Sequence, residues 1–110
     1  MNFLKELNTV IVNNEFDNLA DFSNTLSNQF DELIAYHVII DISNLKKVTN
    51  KDLSVFSDLI KVSKKNKKSF VIVLTDFDFN KANSKINIVP TIQEAHDIIE
   101  MEEIERDLGF

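Results

Sequence analysis

Three aspartates offer the plainest chemistry in the chain. Asp41 ends the apolar run His37-Val38-Ile39-Ile40, and Asp76 and Asp78 follow the run Phe70-Val71-Ile72-Val73-Leu74. Carboxylates at the ends of neighbouring parallel strands converge on the crevice where such sheets bind ligands. Hard oxygen ligands there could hold Mg²⁺, giving a small receiver-like or phosphatase-like acidic pocket that accepts phosphoryl groups. Three features weigh against it: Asp41 has apolar neighbours on both sides, no lysine follows in an obvious completing position, and Gly109 is the only glycine, so no phosphate loop exists. A strand-end aspartate that accepts nearby backbone N–H groups is the commoner outcome. His37 and His96 have neither ligand spacing nor a nucleophile partner and are expected at the surface or a boundary. The chain has no cysteine, which removes disulfides, thiolate zinc sites and thiol catalysis. No catalytic residue, metal or cofactor is expected.

Lys61, Lys64, Lys65, Lys67 and Lys68 form the one basic cluster. No aromatic residue is interleaved to stack bases, and the net charge is −6, so nucleic acid is not an expected partner. The cluster reads as a solvated helix end. No segment approaches the roughly 18 apolar residues of a membrane span, and Met1 to Asn8 lacks a basic region followed by an apolar run. The expectation is a cytoplasmic protein without membrane attachment. Its 110 residues suit one domain with one core, the core covering about 9–99 and an acidic helical extension about 100–110.

These groups need elements to position them. Thr9-Val10-Ile11-Val12 reads as a first strand. Leu19, Phe22, Leu26, Phe30, Leu33 and Ile34 recur at helical spacing, predicting a helix from about Asp17 to Ala35 capped by Asp17 or Asn18. His37 to Ile42 reads as a central strand covered on both faces. Thr49 can cap the next helix, with Asp52 reaching back in an Asp version of the capping box. That helix buries Leu53, Phe56, Leu59, Ile60 and Ser63 and runs to about Lys65. Phe70 to Leu74 and Ile86 to Val89 are further strands, and Thr91 caps a last helix with Ile92, Ala95, Ile98 and Ile99 inward. The alternation predicts an α/β fold with a four-stranded, mostly parallel sheet and helices packed against it. With so little glycine, turns needing φ > 0 are expected to use Asn or Asp.

In that order, Ile39-Ile40-Asp41-Ile42-Ser43-Asn44-Leu45 is similar to the Val-Leu-Asp-Leu-Ser strand of the STAS domain, the fold of anti-sigma-factor antagonists. Val89-Pro90-Thr91-Ile92-Gln93-Glu94-Ala95 matches that family's final strand-to-helix turn. The tail Met101-Glu102-Glu103-Ile104-Glu105-Arg106-Asp107-Leu108 resembles the ending of a small subgroup of single-domain bacterial STAS proteins. The resemblance implies a STAS-like fold and a non-enzymatic module that binds a protein partner, either an anti-sigma-factor kinase or another protein of a STAS pathway. Self-association as a homodimer is compatible with it.

The family usually carries Asp-Ser-Ser-Gly or Asp-Ser-Thr-Gly at the turn before the second helix, and its first hydroxyl residue is phosphorylated. Here the turn reads Thr49-Asn50-Lys51-Asp52, followed by Leu53. The resemblance places Asn50 at the former phosphosite and Thr49, Asn50, Lys51, Asp52 and Leu53 in the partner-binding turn. A shift of one residue would put Thr49 there instead. Asn50 neither accepts phosphate nor mimics it. The segment from Thr75 to Lys85 is shorter than the family norm, and a loop is expected where a short helix is common.

Overall fold

Apolar β-branched runs line up side by side because each can be buried on both faces once helices cover the sheet. A computed structural model describes residues 3–83 and 85–109, without the side chains of Phe3 and Leu4. Its strands are β1 (Phe3–Glu6), β2 (Thr9–Asn13), β3 (His37–Asp41), β4 (Phe70–Val73) and β5 (Asn87–Val89). They form one sheet in the order β1-β2-β3-β4-β5. From β2 to β5 the neighbours are parallel, while β1 pairs antiparallel with β2, Lys5 opposite Val10. The sheet therefore has five strands and not four. Its extra edge strand has only four residues, with polar Lys5 and Glu6 among them, and the Leu7-Asn8 turn carries no glycine to announce a hairpin.

Because the parallel strands step always in one direction, right-handed crossovers put the intervening helices on a single face. Helices α1 (Leu19–Gln29), α2 (Asn50–Leu53) and α3 (Ser57–Lys65) supply Phe22, Leu26, Leu53 and Leu59 to a core with Val10, Val38, Ile40 and Ile72. Aromatic rings run through it, with Phe22 edge-on to Phe56 at 6.1 Å and Phe56 against Phe70 at 6.0 Å. Among the described residues, only α4 (Ile92–Asp107) covers the other face, packing Ala95 and Ile99 on Ile11, Ile39, Val71 and Val73.

Both predicted long helices are interrupted. After α1, Phe30–Glu32 tightens into a 3-10 turn, a common way for a helix end to satisfy its last carbonyls. Between α2 and α3, Ser54–Phe56 is another 3-10 turn. Ser54 and β-branched Val55 are weak helix formers, and the Ser54 hydroxyl donates back to the Lys51 carbonyl at 2.6 Å. The predicted caps are in place, with Asn18, Thr49 and Thr91 at the N-termini of α1, α2 and α4. Positive φ among the described non-glycine residues falls instead on Leu7, Lys47 and Lys67, and not on Asn or Asp. Each bears the left-handed strain of about 1–2 kcal/mol that a side chain adds there. No described helix is long and apolar enough to cross a membrane.

Candidate protein-binding site

The Thr49 turn lies beyond the carboxyl ends of the parallel strands and is held by reciprocal bonds. The Asp52 N–H donates to Thr49 Oγ1 at 3.3 Å, and the Thr49 N–H donates to Asp52 Oδ2 at 2.9 Å, the full capping box. Asn50 does something that spacing could not reveal. Its Nδ2 donates to the Lys81 carbonyl, and its Oδ1 accepts the Asn83 N–H at 3.2 Å. Both hydrogen-bonding sides of one carboxamide thus clamp the backbone of the β4–β5 loop to the start of α2. A serine is too short and has too few hydrogen-bonding groups to make both bonds. The loop holds a 3-10 turn at Phe79–Lys81, in place of any longer helix.

Of the five residues assigned to the turn, Thr49, Lys51 and Asp52 are exposed, Asn50 is half-buried and Leu53 is fully buried. Leu53 therefore anchors the turn in the core and offers a partner no side chain. Two apolar groups not singled out in the sequence stand near it: Val55 is 48% exposed, and Phe79, on the clamped loop, is 38% exposed with its ring edge-on to Phe77 at 5.5 Å. Val55 falls off the buried stripe of its helix, which was the available signal. The neighbouring loops are tied by Asn14, whose Nδ2 donates to Asn44 Oδ1 at 3.0 Å and to the Phe16 carbonyl at 3.1 Å.

The three aspartates are spent separately on backbone donors. Asp41 accepts the Ser43 N–H at 3.0 Å, Asp76 accepts the Lys47 N–H at 2.9 Å, and Asp78 accepts the Asn80 N–H at 3.1 Å. The bond to Asp76 holds Lys47 in its left-handed conformation. No group of three or more His, Asp or Glu that could hold a metal occurs among the described residues. Millimolar Mg²⁺ is accordingly expected to leave the melting temperature unchanged, because a ligand selective for the native state must raise it. A rise of several degrees would revive the acidic pocket.

His37 is not at the surface. Strand alternation puts it on the α4 face with Ile39, and only 2% of it is exposed. Its Nδ1 accepts the Ser69 N–H at 2.9 Å, and its Nε2 lies 3.5 Å from the Glu103 carboxylate. Burial pushes the His37 pKa down, helped by the positive charges of Lys68 and Arg106 and opposed by Glu103. The imidazole is thereby held neutral. Arg106 donates to Ser69 Oγ at 2.5 Å, and Glu102 accepts from Asn87 at 3.1 Å. These bonds fasten the second half of α4 to the strand beginnings, far from the Thr49 turn. His96 is partly exposed, 3.9 Å from Glu6.

The acidic extension is simply the continuation of α4. Its inner side joins the polar network above, while Met101, Ile104 and Leu108 are 49%, 54% and 66% exposed. The lysine cluster lies at the end of α3 and along the approach to β4. No family model matches the chain, and no curated protein matches it either.

Proposed function

We propose that the chain is a non-enzymatic regulatory module of STAS, anti-sigma-factor-antagonist type, which binds a protein partner through the α2 turn and is not regulated by phosphorylation there. The observation that carries this reading is the Asn50 clamp. The helix start is already built and tied to its neighbouring loop by a residue that has no hydroxyl to phosphorylate. Thr49 is a poor substitute, because its hydroxyl sits in the capping box with the Asp52 carboxylate. A phosphate there would face a like charge. Phe79 adds an exposed aromatic ring, a side chain enriched at protein contacts, and Lys51 and Val55 are exposed at the same rigid turn. An anti-sigma-factor kinase or another STAS-pathway protein fits the resemblance.

Lys51→Glu combined with Val55→Asp tests the surface, since both side chains are exposed and neither takes part in the cap. The double variant is expected to keep the wild-type melting temperature within a few degrees and to lose capture of the partner. Undiminished capture would move the interface elsewhere.

A further inference from the structure

The short β4–β5 connection has a second consequence. The α1–α3 face carries helices over its first crossovers, but among the described residues only a 3-10 turn precedes β5, so no crossover helix packs beside α3 on its β5 side. A groove of about 1010 Å³ runs there, between α3 and the end of α4. Its floor is apolar, with half-buried Ile60 and Ile86, and the lysines of its rim, Lys61, Lys64, Lys67 and Lys85, outnumber the carboxylates of Glu102 and Glu105 on its α4 wall. Lys67 supplies its charge from a left-handed backbone at φ 59°, a position where Gly or Asn would be less strained. This basic rim belongs to a chain of net charge −6.

An apolar floor with cationic edges suits an acidic amphipathic helix. The chain itself presents one: α4 shows Met101, Ile104 and Leu108 to solvent, flanked by exposed Glu94, Asp97 and Glu100. We propose that the groove receives α4 of a second copy, forming a two-fold dimer in which each groove holds the other's helix. In a two-fold interface the same patches meet reciprocally, so a molecule that carries both complementary surfaces can satisfy both contacts at once. Charge pairing sets the register, and Ile104 with its neighbours buries apolar area against Ile60 and Ile86. The groove reaches the clamped loop at Asn83, but the residues substituted below lie outside the Thr49 turn, and the dimer does not depend on the partner-binding reading.

Sedimentation equilibrium on the full chain tests it. The wild type is expected to dimerise at micromolar concentrations and to weaken with added salt, as screening requires. Lys64→Glu with Lys67→Glu, and separately Asp97→Lys with Glu100→Lys, should each weaken self-association by about tenfold or more, since like charges then meet. Mixed in equal amounts, the two variants should recover a dimer, because both grooves then face an opposite charge. Circular dichroism verifies that each variant is folded. A wild type that is monomeric at every concentration overturns the proposal and leaves the groove to a foreign acidic segment. A dimer indifferent to both variants, or a mixture that stays monomeric, overturns it equally.

Discussion

Replacing His37 with leucine is expected to destabilise the protein by about 1–3 kcal/mol, because the Ser69 N–H would remain buried without an acceptor. Leucine fills similar space, so the loss reports the hydrogen bonds more than a cavity. For a domain of this size each kcal/mol corresponds to roughly 4–8 °C in melting temperature. His37→Asn, which can place an oxygen where Nδ1 sits, should lose less. A larger loss for asparagine than for leucine would show that the ring's volume matters more than its acceptor.

The same histidine makes the difference depend on pH. Burial holds its folded pKa below the ordinary value of about 6.5, against the pull of Glu103 and with the push of Lys68 and Arg106. As the pH falls through that value the unfolded chain takes up a proton first. The stability gained from the neutral ring is therefore complete above about pH 6.5 and is lost as the pH drops toward the folded pKa. The leucine variant has no such loss, so the gap between wild type and variant should narrow from about pH 8 to about pH 5.5. Urea unfolding at both values measures it. A gap that widens in acid would mean that Glu103 outweighs burial.

Removing the Asn50 clamp is the second large effect. Asn50→Ala deletes two hydrogen bonds to the backbone at Lys81 and Asn83, each contributing about 0.5–1.5 kcal/mol. Hydrogen exchange at the Asn83 amide should accelerate, with the β3 and β4 amides unchanged. Asn50→Ser, which restores a hydroxyl residue to the turn, should loosen the loop nearly as much. Asn50→Asp should retain only the bond from the Asn83 N–H, since a carboxylate cannot donate to the Lys81 carbonyl. If capture of the partner falls in the order Asn, Asp, then Ser and Ala together, the clamped loop belongs to the binding surface.

Much of the scaffold was legible because it rests on local rules. The runs at β2, β3 and β4 are short and apolar, and Asn18, Thr49 and Thr91 are ordinary N-cap residues bonded as N-caps are. His37 was misplaced at the surface or a boundary although it shares a strand face with buried Ile39, because a polar ring is read as exposed until its buried partner Ser69 is known. What stayed hidden depends on distant partners. Asn50 reads as a lost hydroxyl until the loop 31 residues away closes on its carboxamide. β1 is too short and too polar to declare itself without β2 beside it. Asp76 reads as a metal ligand until Lys47, with its left-handed backbone, donates to it.

The most direct test of partner binding without a phosphoswitch is capture of the tagged protein from its native cells, with the partner identified and the intact mass of the bait measured in the same run. Recovery of a kinase-like anti-sigma factor, lost in the Lys51→Glu, Val55→Asp variant, with bait of unmodified mass is the predicted result. Bait phosphorylated at Thr49 or a nearby serine, or a recovered partner outside such a pathway that the double variant still captures, would contradict it.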